Sequence, residues 1–285
     1  MKCVGLIKLQ PPTVFFVNTI HTFFPFSLVV IEDAPKRTDS STVLKQLIDT
    51  VRLYGPLEAF TAVWDNIGHL LGRFTDRQRL PSYERIFGND WQTLNPDIPI
   101  LKVDSINQQS VKDRLIHENP DVLIDHGTSI VKPFILETAP LALNLHWGLS
   151  PYYRGTHCTE WALINWDPYN IGVTIHKLTA QIDGGEIIAQ RRATVTQDTT
   201  SAEIDMELTR LGTQALLDIL DALSCGRQVP TSRQHDTHGH LCLDRQWSRH
   251  LRKQIRYIER NRLIGRMLKN PSRKNRLPIV EFPGK

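Results

Sequence analysis

The sequence predicts an α/β protein with a Rossmann-like, mainly parallel sheet flanked by helices and a short basic C-terminal extension. Three observations predict it. Short buried-strand runs alternate with amphipathic segments of about a dozen residues. Polar residues cluster where apolar strands end, which is where parallel sheets bind ligands. The chain has 285 residues, 40% of them hydrophobic and 22% charged, enough for one sizeable core and an appendage. That composition excludes disordered, collagen-like and low-complexity chains.

The elements follow in order. Lys2–Ile7 reads as a strand, Pro11-Pro12 as the first turn of a helix, and Phe26–Ile31 as a buried strand. The apolar stretch Val14 to Ile31 is not a membrane span, because Asn18, His21 and Pro25 interrupt it within the ~20 residues required. It also lacks the small-residue cleavage site of a signal peptide before Glu32-Asp33. Ser41 caps a helix with Val43, Leu44, Leu47, Ile48 and Val51 at helical spacing, ending near Gly55-Pro56. Residues 60–95 read as a loop-rich linker or short helices. Ile100–Val103 is a strand, Asn107–Glu118 a helix, Asp121–Ile124 a buried strand that breaks at Gly127, Pro133–Thr138 a helix and Ala142–His146 a strand. A helix at Thr159–Asn165 and strands at Gly172–Lys177 and Glu186–Thr196 complete the sheet, with a loop at Gln181–Gly185. The clearest helix starts at Thr200, with Glu203 at capping-box spacing. Its stripe is Ile204, Leu208, Leu211, Ala215, Ile219 and Leu223, and Gly226 stops it.

Charge is divided along the chain. The formal net charge is +4, yet residues 241–285 hold 13 Lys/Arg against Asp244, Glu259 and Glu281, a net +10, leaving an acidic body with −6. Trp247, Leu251, Ile255 and Ile258 form a helical stripe, so Arg249, Arg252, Lys253, Arg256 and Arg260 occupy its other faces. That tail is either a solvated helix packed on the body or an electrostatic contact for an anionic acceptor or RNA. Four cysteines, Cys3, Cys158, Cys225 and Cys242, form no CxxC pair, which points to a reducing, cytoplasmic compartment. His235, His238, His240 and Cys242 look metal-like, but same-side strand ligands do not surround a tetrahedral ion, so no metal is expected.

The chemistry-bearing segment runs from Asn144 to Gly155. Asn144 and His146, two apart in a strand, leave the same face, and a turn with Arg154-Gly155 follows. Further on stand Gly172-Val173-Thr174-Ile175-His176 and Ile182-Asp183-Gly184-Gly185. Taken singly, His146 would read as a satisfied strand-end histidine and Asp183 as a turn aspartate.

This ordered set, from about Pro120 to Asp221, resembles the 10-formyltetrahydrofolate-dependent formyltransferases that act on glycinamide ribonucleotide, methionyl-tRNA and sugar nucleotides. The resemblance implies Asn144, His146 and Asp183 as the catalytic trio. Their types suit the reaction: an amine attacking a formyl carbon develops an oxyanion, and each donor aimed at it is worth roughly 3–4 kcal/mol. The Asn144 amide and a protonated His146 are the expected donors, with Asp183 taking the amine proton. It also implies 10-formyltetrahydrofolate as formyl donor, held by Gly127, Thr128, Ile130 and Asp183. Trp147, Ser150, Tyr152, Tyr153 and Arg154 are expected at the acceptor, since aromatic rings and an arginine suit a base and a phosphate. Trp161 reads as core. Two departures stand out: Trp147 replaces the proline common after the histidine, and Lys8-Leu9-Gln10-Pro11-Pro12 replaces a glycine-containing first turn.

The expectation is thus a cytoplasmic formyltransferase with a catalytic domain at 1–225 and a basic extension at 226–285. Its partner is a small-molecule amine, a sugar nucleotide first, with glycinamide ribonucleotide or tRNA as alternatives and no membrane. A homodimer is compatible with the sequence. The rival from another class is a non-catalytic RNA-binding protein on the same fold.

Overall fold

In the computed structural model, residues 1–33, 48, 51–52, 76–234, 239–270 and 276–282 are described. The chain opens with β1 (Cys3–Ile7), α1 (Pro11–Phe23) and β2 (Phe26–Glu32). It continues with α2 (Asp76–Phe87), β3 (Ile100–Val103), α3 (Gln109–Glu118) and β4 (Val122–His126). Next come α4 (Pro133–Leu136), β5 (Leu141–His146), β6 (Tyr153–Gly155), α5 (Cys158–Ile164), β7 (Gly172–Lys177) and β8 (Ile187–Arg192). The last elements are α6 (Ser201–Ser224), β9 (His240–Cys242), α7 (Arg249–Arg260) and α8 (Leu263–Lys269).

The main sheet has the order β3-β2-β1-β4-β5-β7-β8. Pairing is parallel from β3 to β5 and antiparallel for β5–β7 and β7–β8. The order reverses between β1 and β4, and it is beyond the carboxyl ends of the strands at such a reversal that sheets of this kind bind ligands. Strands buried on both faces read as continuous apolar runs. Thus Cys3 and Ile7 of β1 join the core under α1 and α6, while Val4 and Leu6 join the core under α3 and α4.

The capping box forms as its spacing predicts. Thr200 Oγ1 accepts from the Glu203 N–H at 3.2 Å, and the Glu203 carboxylate accepts from the Thr200 N–H at 3.0 Å. Ile204, Leu208, Ala215 and Ile219 are buried, whereas Leu211 and Leu223 are only partly so. A side chain at Gly212 would overlap Leu145 and Val173, so glycine lets α6 lie close to the sheet under the site.

Some boundaries differ from the sequence reading. Strand β4 continues through Asp125 and His126, both buried polar residues that a hydrophobicity pattern ends before. Strand β8 stops at Arg192, not Thr196, because its partner β7 begins at Gly172, opposite Arg192; beyond that pair the Ala193 N–H still bonds the Ile171 carbonyl, but no ladder continues among the described residues. Within 60–95, Asp76–Phe87 is helical, and Tyr83 and Phe87 pack with Trp91 and Met206 in a separate cluster. The helix expected from Ser41 falls almost wholly outside the described residues.

The residues after 225 lie against the body. Strand β9 pairs in parallel with β6, and Ile255, Ile258, Ile264, Met267 and Phe282 are buried in the main core. Trp247 is partly buried, and Arg252, Arg256 and Arg260 are exposed, as expected for a helix with one buried stripe. Val280 exchanges backbone and side-chain hydrogen bonds with Gln190 of β8. Among the described residues, no helix is long and apolar enough to cross a membrane.

Candidate functional site

The polar ends of β4, β5 and β7 converge with one loop. Asn144 of β5 lies opposite Asp125 of β4 and opposite His176 of β7, so all three share a sheet position. Asp183, in the loop before β8, has a left-handed backbone with φ 45°. Gln234 holds this loop by donating to the Asp183 and Gly185 carbonyls at 2.7 and 2.6 Å.

These residues bond to one another. The Asn144 amide donates to Asp183 Oδ1 at 3.3 Å and faces His176 Nε2 at 3.1 Å. His176 Nδ1 faces the Lys177 carbonyl at 2.8 Å, and its Nε2 stands between the Asn144 amide and Asp183 Oδ1, 3.3 Å from the latter. His146 Nδ1 lies 3.4 Å from Asp183 Oδ2, and the Gly155 N–H donates to that same oxygen at 2.7 Å. His146 Nε2 faces the Tyr153 carbonyl at 2.9 Å and Cys158 Sγ at 3.8 Å.

Electrostatics set the proton inventory. Burial opposes ionisation of Asp183, but the charges and hydrogen bonds of His146 and His176, with the Gly155 N–H, outweigh it. The carboxyl is held well below the usual carboxylate range. For His146 burial wins: it lowers the imidazole, and the Asp183 charge and the Tyr153 carbonyl only partly compensate. Burial thus weighs against the protonated His146 expected from sequence, while the acceptor oxygens facing both ring nitrogens favour it. Neither ring nitrogen is free, so donation to an oxyanion requires the Tyr153 carbonyl or Asp183 to yield its place.

A second carboxyl lies beside the trio. Burial, with the Asp183 and Glu32 charges, pushes Asp125 up to about 7, against the opposing hydroxyl of Thr128 and the charge of His176. Next to it burial pushes His126 down to about 4. His126 packs between Phe16 and Trp147, with ring centroids 5.3 and 5.2 Å away.

The residues expected at the donor lie in the loop after β4. Gly127 has φ 77°, Thr128 donates to Asp125 Oδ1, and Ile130 is 58% exposed. Those expected at the acceptor separate. Trp147 is partly buried, its indole N–H buried without a partner among the described residues, and Arg154 Nε likewise has none among them. Ser150 is fully buried, its N–H bonded to Thr174 and its carbonyl to Gln190. The Tyr153 ring turns away to stack on His240, with its hydroxyl on Asp167, so its backbone carbonyl is what faces His146. Tyr152 packs on the core, and Trp161 is partly buried against it, in line with its reading as core. His235 and His238 lie outside the described residues, while His240 and Cys242 belong to β9.

Sequence reasoning did not assign His176, Gly155, Gln234 or Asp125 to the site. His176 had a signal, since its strand shows polar Thr174 and His176 on one face. Gln234 had none, because only folding brings it to Asp183.

Residues 81–220 match the family model described as formyl transferase. The chain carries a formyl transferase domain. Solved structures of similar fold include a sugar N-formyltransferase from a Shewanella species, 14% identical, with a TM-score of 0.53 over 86% of this chain and 78% of that one. A 4-N formyltransferase from Francisella tularensis is 15% identical, with a TM-score of 0.50 over 100% and 98% of the two chains. The sugar 3N-formyltransferase WlaRD, solved in the presence of dTDP and 5-N-formyl-THF, is 14% identical, with a TM-score of 0.51 over 87% and 72%. At these identities the likeness establishes the formyltransferase fold.

Proposed function

We propose that this formyltransferase moves the formyl group of 10-formyltetrahydrofolate to the amino group of a nucleotide-linked amino sugar, with Asn144, His146 and Asp183 at the reacting atoms. The observation that carries the reading is the convergence of these three residues with His176 at the carboxyl end of β5 within the matched domain. Asp183, held ionised, accepts the proton that the amine sheds as it adds to the formyl carbon. The Asn144 amide donates to the oxygen that becomes negative; as this intermediate collapses, the bond from the formyl carbon to N10 breaks and the proton taken up by Asp183 passes to that nitrogen, releasing tetrahydrofolate. His146, bridging Asp183 and the Tyr153 carbonyl, orients the carboxylate and takes up a share of the proton as charge develops. The Gly127–Val131 loop walls the donor, and Trp147, Tyr152 and Arg154 border the acceptor. Support for the acceptor class is the fold shared with sugar N-formyltransferases, one of them solved with dTDP and a formyl-folate. Residues 226–285 act as an extension that supports the catalytic body through β9 and Val280.

The test is formyl transfer from 10-formyltetrahydrofolate to a panel of dTDP- and UDP-linked amino sugars, glycinamide ribonucleotide and methionyl-tRNA, using wild type, His146→Ala and Asp183→Asn. Turnover of a sugar nucleotide that both variants lose supports the reading. Unchanged rates in either variant overturn the mechanism, and turnover confined to another panel member overturns the acceptor.

A further inference from the structure

Three buried or half-buried side chains outside the trio meet on one loop. Glu32 ends β2 and is 6% exposed, yet its carboxylate accepts three hydrogen bonds. One comes from the Ile106 N–H at 3.1 Å, in the turn after β3. The other two come from Ser129, its N–H at 2.6 Å and its hydroxyl at 2.8 Å. Because β1 lies between β2 and β4 in the sheet, Glu32 reaches past the end of β1 to fix the loop that leaves β4.

Asn107 takes the same loop from its other end. Its amide nitrogen donates to the Ile130 carbonyl at 3.0 Å, and its amide oxygen accepts from the Lys132 N–H at 2.8 Å. Asp125, 6% exposed, accepts from the Thr128 hydroxyl where the loop begins. The loop is thus tied to the ends of β2 and β4 and to the turn before α3, and the exposed Ile130 side chain is left facing outward. A loop whose only duty was to connect β4 to α4 would not need a buried carboxylate, since burying that charge is costly unless its hydrogen bonds repay it. The loop stands at the carboxyl ends of the strands where the order reverses, two residues beyond the position that faces Asn144.

We propose that Glu32, Asn107 and Asp125 are positioning residues that hold the Gly127–Lys132 loop as a preformed wall of the donor site, so that the formyl donor binds without first ordering it. This rests on the donor-side reading above. Preorganisation raises affinity by removing the ordering cost from the binding step. Loosening the clamp should weaken the donor and leave the acceptor side alone. Glu32→Gln is the sharpest change, because its amide can serve only some of the three donors and sets an N–H against another N–H. Ser129→Ala and Asn107→Ala release single strands of the same clamp at more exposed positions.

The experiment uses the full chain and two probes: 5-formyltetrahydrofolate for the donor side and dTDP for the acceptor side, each titrated by calorimetry, with a thermal melt of every variant. Glu32→Gln, Ser129→Ala and Asn107→Ala should each weaken 5-formyltetrahydrofolate by about tenfold, with dTDP affinity within about twofold of wild type. Ser129→Thr, which keeps the hydroxyl, should restore most of the affinity that Ser129→Ala loses. Folded variants with unchanged 5-formyltetrahydrofolate affinity would overturn the clamp alone. Equal loss of both probes would make these side chains merely structural. If Glu32→Gln does not fold, the two more exposed variants and the Ser129→Thr rescue decide the matter. Wild type that binds no formyl-folate overturns the donor reading and the clamp with it.

Discussion

The Gly155 N–H donates to Asp183 Oδ2 at 2.7 Å, on the same carboxylate oxygen that faces His146 Nδ1. A backbone group of β6 therefore fixes the Asp183 carboxylate, the proposed proton acceptor. Gly155 has φ 96°, and a Cβ there would overlap the Cys242 carbonyl of β9. The glycine answers two demands at once: a backbone most side chains avoid, and close passage of a second strand.

Gly155→Ala should consequently separate β6 from β9 and carry the N–H away from Asp183. An outward shift of about 1 Å at a reacting group can lower turnover by about a hundredfold. Steady-state kinetics beside a circular-dichroism spectrum will show whether activity falls while the fold persists; full activity would mean this bond does not position Asp183.

His176 and Asp183 should act as one unit. Removing the His176 ring in His176→Ala leaves the Asn144 amide and the Asp183 carboxylate short of a partner in a buried place, at roughly 1–3 kcal/mol. Coupled residues give non-additive losses. The double variant His176→Ala/Asp183→Asn should be scarcely slower than Asp183→Asn alone. Fully multiplicative losses would show that the two serve separate steps.

Asp125 and His126 should tilt the stability profile in opposite directions. The unfolded chain protonates His126 near 6.5, but the folded chain withholds that proton until about 4, so stability falls as pH drops through this window. The folded chain keeps the Asp125 proton to about 7, whereas the unfolded chain loses it near 4, so stability falls as pH rises from about 4 to about 7. Each is worth roughly 3–4 kcal/mol at most, and the two partly cancel between about 4 and 6.5. Asp183, depressed instead, adds its loss only as pH falls below the ordinary carboxylate value. Urea unfolding from pH 4.5 to 8.5 should show Asp125→Asn gaining on wild type as pH increases. Parallel profiles would contradict the raised Asp125.

Gln190 should support the turn after His146 from below. Its amide donates to the Ser150 carbonyl at 2.7 Å and to Thr174 Oγ1 at 3.0 Å, and its oxygen accepts from the Val280 N–H at 2.9 Å. Gln190→Leu takes these partners from the Ser150 carbonyl and the Val280 N–H in the interior, while Thr174 keeps its bonds to Ser150 and Gly148, a loss of about 2–4 kcal/mol. Deleting residues 277–285 should reproduce part of it, by removing Val280 and the Leu277 carbonyl that accepts from Arg192. A denaturation midpoint unaltered in both would show that the C-terminal segment lies loosely on β8.

The residues that could be read from sequence are those whose pattern is local. Asn144 and His146 were legible because two-residue spacing puts them on one strand face, and Thr200 with Glu203 because a capping box closes within one turn. Ser150 and Tyr153 were misplaced as acceptor contacts for a related reason. Residue type suggested a binding role, while burial and the direction of each side chain depend on β7, β8 and β9.

What the sequence alone determined was the alternation of strands and helices, the charge division between body and tail, and the placing of Asn144, His146 and Asp183 within their motifs. What only the tertiary structure decided was which groups stand between those residues. His176 arrives by antiparallel pairing, Gly155 through a strand clamped by β9, Gln234 from the far side of α6, and Glu32 from two strands away. The burial that lowers His146 was decided there too, because desolvation depends on everything packed around a ring. Local periodicity encodes which face a residue takes, but contacts between distant segments, and the dielectric they create, exist only once the chain has closed on itself.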